Sequence, residues 1–113
     1  MRALAFFTAL LLAPAASAQV VGDPQAGQGI AMEICSTCHA VRPGEGIDPS
    51  PDPLPFDELE ALPFEDIANT PGVTATVLFV WLTSSHPTMP NIVLEDEDLR
   101  NVVAYILSLK DDP

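Results

Sequence analysis

Two long stretches of the chain repeat apolar residues with the period of an α-helix, one near each end. The first begins at Asp23, an N-cap residue type, with Pro24 at the first helical position, and it runs into Cys35. The last begins near Glu95 and continues to about Lys110. Its acidic start and basic end match the helix dipole. The pattern therefore predicts a terminal helix on either side of the intervening chain.

Shorter helices are predicted between these two. Residues 64–69 read as a helical turn, and Thr70-Pro71 reads as an N-cap and first position of a further helix, which 83–87 stops. Residues 42–56 contain five prolines and two glycines, which indicates a loop. No segment alternates convincingly as a strand. The predicted fold class is therefore all-α, with three to four helices and connecting loops.

The apolar positions also predict which face of each helix is buried. Gly27 and Gly29 inside the first helix indicate close approach by another element. The predicted buried side of the first helix comprises Ala26, Ile30, Ile34 and Met32. That of the helix after Thr70 comprises Val73, Val77, Leu78 and Trp81 or Leu82. That of the last helix comprises Leu99, Val102, Val103, Ile106 and Leu109, with Tyr105 on its flank.

The first 18 residues have the organisation of a secretory signal peptide. Met1-Arg2 is followed by an apolar run over 3–13 and by the small-residue site Ala16-Ser17-Ala18. The run is shorter than the roughly 20 residues that span a bilayer. We predict that 1–18 is cleaved, that 19–113 forms one domain in the periplasm, and that no stable membrane anchor is left. The alternative is an uncleaved N-terminal anchor.

The charge is strongly acidic, with a net value of −12. Nucleic acid and anionic lipid surfaces would repel such a chain, so neither is a predicted partner. A protein partner with a basic docking face fits better. The simpler interpretation is that most of the acidic residues only keep the protein in solution.

The run Cys35-Ser36-Thr37-Cys38-His39 carries the most specific chemistry in the sequence. A C-x-x-C-H run is the attachment motif of a c-type haem. Two thiols three residues apart can each add to one vinyl group of the same porphyrin, and the adjacent imidazole can then bind the iron. We predict one haem c, covalently bound through Cys35 and Cys38, with His39 as an iron ligand.

Other chemistry for the two cysteines is less well supported. A thioredoxin-like pair belongs on a βαβ pattern, which this chain lacks. A structural zinc site needs four ligands, and only His39 and His86 are available to complete it. A structural disulfide is compatible with export, although it leaves His39 unexplained.

A second axial ligand would decide what the haem does. A His/Met pair is the arrangement of electron-transfer haems. Met32 stands three residues before Cys35, whereas Met89 lies between two prolines that restrict its loop. Met89 is the predicted ligand, and His86 is the alternative.

A wall of apolar side chains is expected to keep water from the porphyrin, which raises the reduction potential. Its candidates are Phe64, Val77, Leu78, Trp81, Ile92, Val102 and Ile106. Trp81 either donates its indole N–H to a haem propionate or simply packs.

Together, Cys35–His39, the run His86-Pro87-Thr88-Met89-Pro90 and the closing 104–109 segment resemble a small bacterial class I c-type cytochrome with one His/Met-ligated haem. The resemblance covers nearly all of 19–113. It implies the class I cytochrome c fold, in which helices and loops wrap one covalently bound haem.

The same resemblance implies two specific contacts. The first and last helices would cross at a glycine–aromatic contact, which corresponds here to Gly27 and Tyr105. A proline carbonyl would accept a hydrogen bond from the far nitrogen of the axial imidazole, and Pro63 is the better match, with Pro55 as the alternative. Two departures are an alanine at position 31, where the family often has an aromatic residue, and the absence of the lysine ring of its best-known members.

The resulting functional prediction is a periplasmic electron carrier, not itself an enzyme, that cycles one haem iron between Fe(III) and Fe(II) and exchanges electrons with redox protein partners. The first alternative is a cytochrome subunit of a larger periplasmic dehydrogenase or oxidase. The second is a haem-based module that binds a gas or peroxide, which requires that Met89 be absent from the iron or easily displaced.

Overall fold

The computed structural model describes residues 22–45, 61–87 and 89–112. Its helices are α1 (Pro24–Ile34), α2 (Phe64–Asn69), α3 (Ala75–Thr83) and α4 (Asp96–Ser108), and a 3-10 turn over Cys35–Thr37 follows α1 directly. No strand occurs within these ranges, and the all-α prediction is confirmed. The predicted signal peptide and the alternative acceptor Pro55 lie outside the described residues.

The start of α1 is as the sequence predicts. The Asp23 side chain accepts hydrogen bonds from the backbone N–H groups of Gln25 at 2.9 Å and Ala26 at 3.3 Å. These are two of the donors that a helix N-terminus leaves without an intrahelical partner. Pro24 occupies the first helical position, where no N–H is needed.

The core of the fold is the crossing of α1 over α4. A methyl group on Gly27 would overlap the backbone carbonyl of Asn101 and come within 2.9 Å of Tyr105 Cβ. Only glycine permits that approach. The Asn101 side chain, which is buried, also accepts a hydrogen bond from the Asp23 N–H at 2.8 Å and ties the start of α1 to α4. The predicted contact between Gly27 and Tyr105 is present.

The buried side of α1 differs from the prediction. Gly27 and Ala31 are the buried residues, whereas Ala26, Met32 and Ile34 are exposed. The close backbone approach at Gly27 turns the small-residue side of α1 toward α4, and it leaves the larger apolar side chains on other faces. The position at which the family often has an aromatic residue is therefore filled by a fully buried alanine.

The helix predicted to open at Thr70 begins later. Thr70 is instead the C-cap of α2, and its hydroxyl donates to the Asp66 carbonyl at 2.8 Å. Gly72 then adopts a φ of +86°, a left-handed conformation that interrupts any helix. Thr74 is the N-cap of α3, and its Oγ1 accepts a hydrogen bond from the Val77 N–H at 3.3 Å. A proline after a threonine was thus a misleading start signal.

The last helix follows the prediction closely. Its N-cap is Glu95, acidic residues fill its first turn, and Val102, Val103 and Ile106 are buried. Tyr105, predicted on the flank, is only 4% exposed. None of the helices described is long and apolar enough to cross a membrane.

Candidate haem-attachment site

The three motif residues, Cys35, Cys38 and His39, lie on a single tight turn. The backbone N–H groups of Cys38 and His39 both donate to the Cys35 carbonyl, at 3.1 and 2.9 Å. The Ser36 hydroxyl donates to the Met32 carbonyl at 2.6 Å, so the turn is also tied to the last turn of α1. Cys35 and Cys38 both carry free thiols, half-buried and exposed respectively. Burial raises the pKa of the Cys35 thiol.

The orientation of the His39 ring is fixed by a backbone carbonyl. His39 Nδ1 lies 2.6 Å from the carbonyl oxygen of Leu62. Because a carbonyl can only accept, Nδ1 carries a proton, and in the neutral imidazole Nε2 then has a free lone pair. A neutral imidazole in this tautomer is the form that binds a metal through Nε2.

The acceptor is one residue away from the one predicted. The partner of His39 Nδ1 is the Leu62 carbonyl, whereas the Pro63 carbonyl accepts from the Ile67 N–H at 3.0 Å as the N-cap residue of α2. The prediction for Pro63 as the acceptor is therefore wrong. Pro63 affects the acceptor indirectly. Its ring restricts the preceding residue, Leu62, to extended conformations and so limits where the Leu62 carbonyl can point.

Two further contacts position the segment that carries His39. The Phe64 N–H donates to the Ala40 carbonyl at 2.9 Å, and the Phe64 ring lies 5.3 Å from the His39 ring, centroid to centroid. The Tyr105 hydroxyl donates to the Val41 carbonyl at 2.5 Å. The residues after the motif are thus held by α2 on one side and by α4 on the other.

The sequence named Phe64 and Tyr105 for other contacts, but it did not predict that these residues support the segment that carries His39. Leu62 and Val41 act through their backbone carbonyls, which no residue type reveals. Tyr105 carried a signal, because a buried tyrosine generally needs a hydrogen-bond partner for its hydroxyl. Burial also raises the pKa of the Tyr105 phenol, as expected for a group whose charged form would be desolvated.

The residues predicted on the other side of the haem lie in and after α3. Met89 is half-buried in the connection between α3 and α4. Trp81 is 58% exposed, and its ring centroid lies 4.2 Å from that of His86. A groove of about 300 Å³ runs beside this connection, and none of the three motif side chains lines it. Its apolar lining comprises Leu82, Ile92, Val93, Leu94 and Leu99.

The described residues fit a covalently bound porphyrin. The two thiols and the free Nε2 lone pair come from one turn. The described residues also expose several large apolar side chains, three of which lie together on α3. They are Met32, Ile34, Leu62, Val77, Val80, Trp81 and Val93. Of the predicted apolar wall, Phe64, Leu78, Val102 and Ile106 are buried, and Val77 and Trp81 are not.

Comparison with known proteins gives one match. A family model described as cytochrome c matches residues 24–110, which is most of the chain. No curated protein and no solved structure matches. The match begins at the first residue of α1 and includes the whole attachment motif. The chain therefore belongs to the cytochrome c family, whose haem c is held here by Cys35 and Cys38 and whose general role is electron transfer with redox protein partners.

Proposed function

We propose that the protein is an electron carrier of the bacterial periplasm in which His39 and Met89 are the two axial ligands of a single haem. The observation that carries the proposal is the geometry of His39. Its side chain lies on the same turn as both cysteines, and its Nδ1–H donates to the Leu62 carbonyl. Haem c supplies a one-electron Fe(III)/Fe(II) couple when it is bound.

The contacts around His39 suit a redox site. The hydrogen bond to the Leu62 carbonyl fixes the tautomer, fixes the ring orientation and makes Nε2 more basic. The packing of the Phe64 ring against His39 leaves the imidazole little freedom to reorient. A ligand held in the same place in both oxidation states requires little rearrangement when an electron is transferred.

Met89 is the methionine best suited to the second axial position. Met32 is exposed on α1, and its sulfur lies 3.8 Å from an Arg42 nitrogen. Met89 is half-buried, and prolines at 87 and 90 restrict the segment around it. A thioether opposite a histidine raises the reduction potential of the iron, as in electron-transfer cytochromes.

Three finer features complete the proposal. Trp81 is on α3, where its indole N–H is available to donate to a haem propionate. The net charge of −12 favours redox partners with a basic docking face over anionic surfaces. Export to the periplasm rests on the signal-like residues 1–18, which also imply that the domain is released from the membrane after cleavage.

The test is the visible spectrum of the haem-loaded protein and of its Met89→Ala variant. We expect the oxidised wild type to show the weak far-red band of a sulfur–iron bond, and the variant to lose it and bind carbon monoxide in the reduced state. A Met32→Leu variant, matched in size, should keep the band. A wild type that lacks the band and takes up carbon monoxide readily would support a gas- or peroxide-binding module instead. Stable co-purification with a larger oxidoreductase would support the subunit role.

A further inference from the structure

We infer that His86 is a positioning residue for Met89: its imidazole packs on Trp81 of α3 and so fixes the point from which the chain leads to Met89. The inference rests on the proposed function, because it concerns how the chain holds Met89 as a ligand. In this role His86 does not touch the iron. It acts through the backbone of the segment that follows it.

The contact is specific to His86 among its neighbours. The ring centroids of Trp81 and His86 are 4.2 Å apart, and the rings are tilted by 56°. That separation is slightly shorter than the roughly 4.5–7 Å at which aromatic pairs usually lie, so the two rings are in direct contact, and tilted arrangements are among the favoured ones. His86 is half-buried, whereas residues 83–85 and Pro87 are exposed. The chain leaving α3 thus packs the His86 ring on Trp81 and leaves the residues beside His86 in solvent.

The position of Trp81 is stabilised because hydroxyl side chains at the end of α3 bond back to backbone carbonyls of the same helix. The Thr83 hydroxyl donates to the Phe79 carbonyl at 2.7 Å, and the Ser84 hydroxyl donates to the Val80 carbonyl at 2.5 Å. The Ser84 bond satisfies one of the last four carbonyls of α3, which a helix C-terminus otherwise leaves without an intrahelical partner. Fraying of the last turn, which would carry Trp81 away from His86, is thereby opposed.

The contact between His86 and Trp81 affects the position of Met89 because only a short length of chain joins His86 to Met89. Met89 is three residues after His86, and a fully extended chain of that length spans about 10 Å. Pro87 and Pro90 remove much of the remaining freedom, since each fixes its own φ and restricts the residue before it. On the other side, Leu94 is the next side chain packed against the core, five residues after Met89. The nearer anchor determines more closely where the sulfur can lie.

The test measures how easily an added ligand displaces Met89 in the ferric haem-loaded protein. Imidazole is the probe, and loss of the far-red sulfur–iron band is the readout. We expect His86→Ala to bind imidazole about two- to tenfold more tightly than the wild type, the range that corresponds to the strength of one aromatic pair. His86→Phe keeps a ring on Trp81 and should restore an affinity close to the wild type. The matched control is Thr76→Ala, an exposed polar position on the same helix.

A double-mutant cycle separates this role from general destabilisation. If His86 acts through Trp81, the effects of His86→Ala and Trp81→Ala on imidazole affinity should be non-additive, with the double variant close to one single variant. Full additivity would overturn the inference. Equal imidazole affinity in the wild type and His86→Ala would also overturn it, and His86→Asn replaces His86→Ala if the latter does not fold. A wild type without the far-red band would instead refute the proposed ligation by Met89, and this inference with it.

Discussion

The crossing of α1 over α4 and the α3 helix differ in how fully the polypeptide itself covers their apolar surfaces. At the crossing, small residues on α1 meet backbone and apolar side chains of α4, and the buried polar groups of Asn101 and Tyr105 both have partners. In contrast, α3 is almost entirely apolar yet buries only Leu78, and it leaves Val77 and Val80 exposed. A helix that is apolar on all sides is normally surrounded by other apolar groups.

This difference indicates which part of the fold depends on the cofactor. The polypeptide alone satisfies the packing and hydrogen bonding of the α1–α4 crossing. The exposed apolar surface of α3 requires another partner, and the porphyrin attached at Cys35 and Cys38 is large and apolar enough to provide it. We therefore expect the α1–α4 crossing to tolerate loss of haem better than the α3 region does.

The largest expected effect comes from removing both attachment sites. A Cys35→Ala/Cys38→Ala variant, prepared without haem, should lose at least about 4 kcal/mol of unfolding free energy, the contribution of a ligand present at a thousand times its dissociation constant. Amide hydrogen exchange should show the loss to be uneven. Amides of α3 should exchange at rates near those of an unfolded chain, and any remaining protection should lie in α1 and α4.

The single variant Cys35→Ala is the control, because one thioether still retains the haem. It should keep most of the protection in α3. Uniform loss of protection in all four helices of the haem-free double variant would contradict the comparison, since it would mean that the α1–α4 crossing needs the haem as much as α3 does.

The next effect tests the crossing itself with two glycines on the same helix. Gly27→Ala places a methyl group against the Asn101 carbonyl and should cost about 3 kcal/mol, because the two helices must move apart. Gly29→Ala meets no atom within 4 Å and should stabilise the protein by roughly 0.5–1 kcal/mol through helix propensity. Urea unfolding of both holoproteins measures the difference. Similar destabilisation by the two substitutions would show that Gly27 is not a packing position.

The sequence predicted the terminal helices better than the middle of the fold. Asp23 and Pro24 mark the start of α1 through local chemistry, and the acidic first turn of α4 does the same. The start of α3 was missed because Thr70-Pro71 has the same pattern as a helix start. Thr70 and Thr74 are both N-cap residue types, and the left-handed turn at Gly72 between them leaves Thr74 as the cap of α3.

For the candidate site, the residues that carry chemistry were predictable and the groups that orient them were not. Cys35, Cys38 and His39 follow from a motif whose spacing the haem dictates. The Leu62 carbonyl follows from no such rule, because every residue has a carbonyl and only the fold selects one. An acceptor at a proline was expected by resemblance, but His39 bonds to the carbonyl of the preceding residue, and the Pro63 carbonyl accepts from the first turn of α2.

The smallest effect concerns the hydroxyl that joins α4 to the segment after the motif. Tyr105→Phe keeps the ring in the crossing and removes only the hydrogen bond to the Val41 carbonyl. Val41 is buried, so its carbonyl would be left without that donor, at a cost of about 1–2 kcal/mol. Urea unfolding of the holoprotein at neutral pH measures this loss. The far-red band should be retained, because Tyr105 is on the His39 side of the site.

The pH dependence of this loss separates the hydrogen bond from simple packing. Burial raises the pKa of the Tyr105 phenol in the folded state above its unfolded value of about 10. The stability that the neutral phenol contributes is therefore fully present below about pH 10 and is lost as the pH rises through the folded-state pKa. The Tyr105→Phe variant has no such group, so its deficit relative to the wild type should shrink above pH 10. If the difference in unfolding free energy between the two proteins stays constant across that range, the hydroxyl contributes through shape alone. The hydrogen bond from Tyr105 to the Val41 carbonyl would then not stabilise the segment that follows His39.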